Sequence, residues 1–177
     1  IRSAPVRHAV GMDLSDASVE AVSVERRRDG HLTLRSFNRI DLPEGVVSNA
    51  DVVVPKILAE SLRELFRGGR PEPFPSRFVI LSLPESKVYL HTFEFPKNLS
   101  EEQVRSTIRF EAEGVLPLAL EEVYADALIH RSRESHHHVL FAAVSRRLVD
   151  AYIAVLKAAD VGKLPAVRRV VLVGNKI

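Results

Sequence analysis

The chain has 177 residues, of which 46% are hydrophobic and 27% charged, the balance of a folded globular protein and not of a disordered segment. A formal charge of only +2, with Lys and Arg interspersed among Asp and Glu, excludes a strongly basic nucleic-acid-binding surface. Because the chain has no cysteine, it cannot form disulfides, thiolate metal sites or thiol nucleophiles. No apolar run approaches the roughly 18 residues of a membrane-spanning helix, so we expect a cytoplasmic protein without direct membrane insertion.

The first half of the sequence predicts the order β-β-β-α-β. Alternating or continuous apolar runs predict strands at residues 8–12, 18–25, 31–42 and 78–83. The last of these is nearly all apolar, the pattern of a strand covered on both faces. Residues 49–66 have helical periodicity, with an apolar stripe formed by Ile57, Leu58, Leu62, Leu65 and Phe66.

The second half, beginning at Pro84, predicts the order β-α-β-β-α. Strands are expected at 87–95, 123–130 and 138–144. Ser100 and Gln103 form a capping box for a helix whose buried side includes Val104, Ile108 and Val115, with Glu111 or Ala112 between them. Ser145 is expected to cap a final helix with Leu148, Tyr152, Val155 and Leu156 facing inward. A last β-branched run at 166–173 predicts one more strand, returning to the first sheet.

Residues 110–126, FEAEGVLPLALEEVYAD, are the most informative run in the chain. They resemble the pattern FEAE-x-x-[IL]-P-[FL]-x-LEE-[VA]-Y-x-D of the PilM family of type IV pilus assembly proteins, which are actin-like and related to FtsA. The resemblance implies a mixed α/β fold: a partial actin-like, RNase H-like subdomain with an inserted small β-α-β-β-α subdomain of the FtsA/PilM type. The implied bounds are 8–83 plus 163–177 for the first subdomain and 84–162 for the insert.

The resemblance also implies a function. In the PilM family a groove beside the insert receives the cytoplasmic N-terminal tail of PilN, a bitopic inner-membrane protein. The chain would then be a cytoplasmic adaptor, peripheral to the inner membrane through its partner, that relays information from the pilus motor ATPases and allows self-association. The residues expected to line the groove are Leu83, Pro84, Phe110, Glu113, Leu116, Pro117 and Leu118. For each of these the alternative is ordinary core packing, and for Phe110 core packing is favoured.

Two related functions stay open beside the pilus adaptor. One is an FtsA-like protein that polymerises with nucleotide and tethers to the membrane in cell division. The other is an adaptor of type II secretion like GspL. Binding of a membrane-partner tail would favour an adaptor, and nucleotide-dependent sedimentation would favour the polymerising protein.

The loop between the first two predicted strands resembles the first phosphate loop of the actin and Hsp70-like ATPases, D-x-G-[ST]-x-[ST]. The corresponding residues are Asp13, Leu14, Ser15, Asp16, Ala17 and Ser18. Ser15 replaces the usual glycine, and Asp16 places a carboxylate where a small hydroxyl is expected. A negative charge about 4 Å from a phosphate opposes binding by roughly 4 kcal/mol at an effective dielectric of 20. The alternative is a polar turn in which Asp13 accepts backbone hydrogen bonds.

We therefore expect this chain alone to bind no cofactor. Binding of ATP and magnesium is expected only in a longer form of the protein. An enzymatic role is not expected either, since the chain has no Gly-x-Ser-x-Gly nucleophile motif. His136 and His138 fall on one strand face near His130, which raises the possibility of a metal site. We favour a solvated hairpin edge, because no carboxylate is obviously placed to support the histidines.

Overall fold

The computed structural model describes residues 9–74, 79–130 and 136–159. The chain divides into two compact units, which meet in sequence at Pro84/Glu85 and at Val149/Asp150. The predicted strand at 166–173 lies outside the described residues, so the predicted return to the first sheet and the predicted subdomain bounds stay predictions.

The described residues form ten strands and three helices. The strands are β1 (Val10–Leu14), β2 (Ser18–Arg26), β3 (Leu32–Asp41), β4 (Val47–Ser48), β5 (Asp51–Val52), β6 (Arg70–Pro71), β7 (Val79–Leu81), β8 (Val88–Pro96), β9 (Val123–His130) and β10 (His136–Ser145). The helices are α1 (Pro55–Arg67), α2 (Glu101–Glu113) and α3 (Arg146–Ala158). None of the helices in these ranges is long and apolar enough to cross a membrane.

A five-stranded sheet of order β6-β3-β2-β1-β7 organises the first unit. Its neighbours are antiparallel except for β1 and β7, which run parallel with Val10 opposite Val79. α1 contacts β2 and β3. The buried side chains of the sheet and of α1 include Val10, Met12, Leu14, Val19, Ala21, Leu58, Leu62 and Leu65.

The other face of this sheet carries exposed apolar side chains. They are Val22, Val24, Leu32, Leu34, Phe37 and Ile80. Val22 lies opposite Phe37, and Val24 opposite Leu34 after a register shift at Ser23. The expectation that residues 78–83 form a strand covered on both faces is therefore wrong, because Ile80 is 49% exposed.

α1 begins six residues later than predicted. Asn49 and Ala50 adopt positive φ angles of 49° and 62°, which a helix excludes, and they form the turn between β4 and β5. Pro55 then occupies the first turn of the helix, where its missing N–H has no partner to lose. Val54, the residue before this proline, is held outside the helical region. Of the residues 49–54 that were predicted as helix, 49–52 therefore belong to the β4–β5 hairpin and 53–54 link it to α1.

A three-stranded antiparallel sheet of order β8-β10-β9 organises the second unit, with α2 against one face. The core contains Phe95, Val104, Ile108, Ala112, Val123, Val139 and Phe141. Of the two residues left open on α2, Ala112 is buried and Glu111 is exposed. Val115 lies beyond the helix and is only half-buried, so its predicted place on the buried side of α2 is wrong. Ala112 is the last residue of that buried side.

The capping box at the start of α2 is confirmed. The Gln103 amide donates to Ser100 Oγ at 3.2 Å, and the Ser100 amide donates to Gln103 Oε1 at 2.8 Å. Replacing Ser100 by alanine is expected to lower the free energy of unfolding of the second unit by about 1 kcal/mol. Urea unfolding checks this, with Ser106→Ala in the exposed middle of the same helix as the control. Equal effects of the two substitutions would contradict a capping role.

The predicted inward face of the last helix is confirmed. Leu148, Tyr152, Val155 and Leu156 are all buried. From Asp150 onward the helix belongs to the first unit, where Arg63 Nη2 donates to the carbonyl of Ala158 at 2.6 Å. This contact ties α1 to the end of α3.

Candidate functional site

The turn between β1 and β2, residues 13–18, is the loop that resembles a phosphate-binding loop. Ser15 occupies its centre: the Ser15 amide donates to the Ser18 carbonyl at 2.9 Å. Ser15 Oγ accepts from the amides of Ala17 and Ser18 at 3.3 and 3.0 Å. The amides of Ser15, Ala17 and Ser18 therefore all donate inside the loop.

The remaining side chains of this loop are also engaged. Ser18 Oγ donates to Glu20 Oε1 at 2.8 Å, and Ser82 Oγ donates to Asp13 Oδ1. The Asp13 carboxylate thus accepts a side-chain hydrogen bond from the segment after β7, and the alternative in which it accepts backbone hydrogen bonds stays a prediction. Asp13, Asp16 and Glu20 together place three carboxylates at this end of the sheet.

Asp16 reaches across to the turn between β4 and β5. Its two carboxylate oxygens accept from the amides of Asn49 and Ala50, at 2.6 and 2.9 Å. On the other side of that turn, the hydroxyl of Tyr152 donates to the Ala50 carbonyl at 2.5 Å. Burial of Tyr152, together with the negative charges of Asp51 and Asp16, raises its pKa to about 12.

These contacts test whether residues 13–18 fit a nucleotide phosphate. A phosphate loop needs backbone amides that point outward and that are not already bound to another anion. Here the amides of Ser15, Ala17 and Ser18 are satisfied internally, and the Asp16 carboxylate lies within the loop. The loop does not fit a phosphate group.

The residues predicted to line a peptide groove fall in both units. Leu83 and Pro84 belong to the first unit and are half-buried. The others lie at the end of α2 and in the bridge that follows it: Phe110, Glu113, Leu116, Pro117 and Leu118. Leu116 packs against the core of the second unit, whereas Leu118 is 40% exposed.

Phe110 is the most exposed large apolar side chain among those described, at 74%. Core packing, the explanation favoured from the sequence, is therefore wrong for this residue. The helical register explains the exposure: Val104, Ile108 and Ala112 form the buried stripe, and Phe110 lies between the last two on the outer side. Phe110 stands one turn before Gly114, where the bridge to β9 begins.

The predicted histidine cluster is brought together only in part. His138 lies opposite His130 in the sheet, and His138 Nδ1 lies 3.5 Å from Glu94 Oε1. His136 lies opposite Pro96. No group of three or more His, Asp or Glu side chains suited to a metal ion occurs in the part of the chain that the structure describes.

Sequence reasoning missed the Asn49–Ala50 turn as the partner of Asp16, and Tyr152 as the partner of that turn. One signal was present: Asn49 lies between two apolar runs, at 46–47 and 52–54, and asparagine tolerates positive φ in a hairpin turn. The contact with Asp16, which lies 33 residues away in sequence, had no local signal.

A family model described as type IV pilus assembly protein PilM matches residues 11–167. The chain belongs to the PilM family. No curated protein matches it significantly. Its similarity to this family was predicted from residues 110–126, and the match covers most of both units.

Two solved structures show the same fold. One is a PilM–PilN type IV pilus biogenesis complex, with a TM-score of 0.71 and 22% identity over 85% of this chain and 44% of the other. The second is the cytoplasmic domain of EpsL, an inner membrane component of the type II secretion system of Vibrio cholerae, with a TM-score of 0.54 and 15% identity over 86% of this chain and 53% of the other. The chain thus spans about half the length of these relatives. Its fold is the partial actin-like, mixed α/β fold predicted from the sequence.

Proposed function

We propose that this chain is a docking module of the type IV pilus inner-membrane assembly platform. In this role it binds the cytoplasmic N-terminal tail of a PilN-like membrane protein. Membership of the PilM family supports the pilus assignment, and the similar fold of a chain solved in a PilM–PilN complex supports the class of partner. The protein would be cytoplasmic and held at the inner membrane through this partner.

The exposure of Phe110 is the observation that carries the proposal. Aromatic side chains left exposed on a monomer are the usual anchors of protein interfaces, because each buries a large apolar area on binding. Phe110 stands near the end of α2, and the bridge that follows presents Pro117 and the partly exposed Leu118. An extended tail bound here gains apolar contacts from these side chains. Leu83 and Pro84, which belong to the first unit, stay a prediction from the sequence.

The charges around this bridge indicate the character of the tail. Glu111 and Glu113 flank it on the helix side, and Glu121 and Glu122 on the strand side, all four exposed. Acidic rims favour basic partners through electrostatic complementarity. The cytoplasmic flank of a bitopic membrane protein is commonly rich in Lys and Arg. A tail with one or two apolar anchors between basic residues would therefore fit this surface.

Replacing Phe110 by alanine is expected to weaken tail binding at least 10-fold, equivalent to about 1.4 kcal/mol, because an exposed aromatic anchor would be lost. The measurement is fluorescence anisotropy with a labelled peptide of the cytoplasmic tail from the PilN-like protein encoded in the same genome. The unfolding midpoint should be unchanged, since Phe110 is 74% exposed.

Leu128→Ala is the matched control. Leu128 is 68% exposed and also lies in the second unit, but on β9 and not on α2. It should leave the peptide affinity unchanged. Saturable binding that neither substitution weakens would mean that the tail binds at another surface. Absence of binding would contradict the proposed function.

A type II secretion adaptor is the second candidate, supported by the fold shared with the cytoplasmic domain of EpsL. The same titration with the tail of the corresponding secretion-system membrane protein separates the two candidate functions, since the physiological tail should bind more tightly.

In either case we propose a non-enzymatic role. Contact with motor ATPases and self-association are further parts of the pilus proposal, and nucleotide-dependent sedimentation would instead favour an FtsA-like polymerising protein.

A further inference from the structure

The turn between β4 and β5 has the geometry of a small anion-binding site. Asn49 and Ala50 both have positive φ, and their successive amides converge on one carboxylate. Successive backbone N–H groups arranged in a turn form a concavity that binds anions. Each amide donates to a different oxygen of Asp16, so the carboxylate is held in a bidentate manner.

The surrounding contacts fix this turn in place. Tyr152 donates to the Ala50 carbonyl at 2.5 Å, and the amides of Val53 and Val54 both donate to the Val46 carbonyl, at 3.0 and 3.1 Å. The 13–18 loop is fixed in turn, because the Leu42 amide donates to the Ala17 carbonyl at 2.7 Å. Two rigid turns thus face each other, and the carboxylate joins them.

We infer that Asp16 is a built-in anion that fills the site formed by the Asn49 and Ala50 amides, so that the 13–18 loop serves as a structural clasp and not as a nucleotide-binding loop. The inference is independent of the proposed tail-binding function. A nucleotide phosphate in this loop would lie beside the Asp16 carboxylate, and the amides of Ser15, Ala17 and Ser18 already donate within the loop. Displacing the carboxylate would also remove one of the contacts that hold the β4–β5 turn.

Once the Asp16 carboxylate is removed, a small free carboxylate should occupy the vacated site. Formate is the probe, because it presents the same two oxygens without a side chain. Asp16→Ala is expected to lower the thermal midpoint by about 5 °C, since two charge-assisted hydrogen bonds are lost. Formate should then raise the midpoint of this variant by about 2 °C more than that of the wild type, with sodium chloride as the ionic-strength control.

Asp41→Ala is the matched variant. Asp41 is 84% exposed and its carboxylate contacts Arg39, at 3.3 Å. Its midpoint should stay near the wild-type value and should not respond specifically to formate. If Asp16→Ala does not fold, Asp16→Asn is the second variant. It keeps one acceptor oxygen, so its thermal midpoint should fall by less than the value of about 5 °C expected when both hydrogen bonds are lost.

Nucleotide binding is tested on the wild-type protein. Magnesium ATP at millimolar concentration should leave the thermal midpoint unchanged. A saturable rise that Asp13→Asn abolishes would overturn the inference. It would equally be overturned if Asp16→Ala kept the wild-type midpoint, or if formate had the same effect on Asp16→Ala and Asp41→Ala.

Discussion

Replacing Leu62 by alanine is expected to lower the free energy of unfolding of the first unit by about 3 kcal/mol, within the range of about 2–5 kcal/mol for buried leucines. Leu62 is 1% exposed and lies in α1 between Leu58 and Leu65, which are equally buried. Removing its branched end takes apolar surface out of the core and leaves a cavity, because close-packed neighbours relax only in part.

Ile57 provides the control on the same helix. The sequence predicts it in the same apolar stripe, but the structure leaves it 38% exposed. Ile57→Ala should therefore lower the free energy of unfolding by less than about 1 kcal/mol. Urea unfolding followed by circular dichroism measures both variants. Similar losses for the two would mean that α1 packs on the sheet through a different face.

The stability of the first unit is expected to fall as the pH rises from about 10 to about 12, by about 2 kcal/mol attributable to Tyr152. The pKa of Tyr152 is raised from 10.0 to about 12, first by burial and then by the charges of Asp51 and Asp16. The unfolded chain therefore loses the phenolic proton at lower pH than the folded chain. The contribution of this group is fully present below pH 10 and is lost as the pH passes through the folded-state pKa.

Tyr152→Phe isolates this effect. At neutral pH the variant should be less stable by about 1 kcal/mol, because the hydrogen bond to the Ala50 carbonyl is lost. Above pH 10 only the wild type should lose the contribution of this phenol, so the difference between the two proteins should shrink. Urea unfolding at pH 7, 9, 10 and 11 measures the difference in the free energy of unfolding between the two proteins. All other titrating groups are present in both proteins and cancel in this difference. A difference that stays constant over this range would show that the phenol titrates normally.

Local patterns were sufficient for most elements. The capping box at Ser100 and Gln103 predicted the start of α2, because both hydrogen bonds join residues only three apart. Alternation predicted β2, β3, β8 and β9, and the apolar spacing of α3 predicted its buried side chains. The run at 110–126 indicated the PilM family, which the match over residues 11–167 confirms. Each of these signals lies within one element or one short segment.

The boundary between the hairpin at 47–52 and α1 was predicted wrongly, because residues 49–54 were joined to the periodic segment that follows them. The tertiary structure decides it: the positive φ angles of Asn49 and Ala50 are stabilised by Asp16 and Tyr152, which are far away in sequence. Hydrogen bonds inside the folded 13–18 loop occupy the amides of Ser15, Ala17 and Ser18, so these amides are not free for a phosphate.

The sequence by itself determined the order of the main elements, the family, and the residues worth testing. Only the tertiary structure decided which side chains lie at the surface and which are occupied by contacts within the protein. Phe110 is exposed, Ile80 is half-exposed, and Asp16 is bound to another turn. The physical reason is that propensity and periodicity act between neighbouring residues, whereas burial and hydrogen-bond partnership depend on which distant segments the fold brings together.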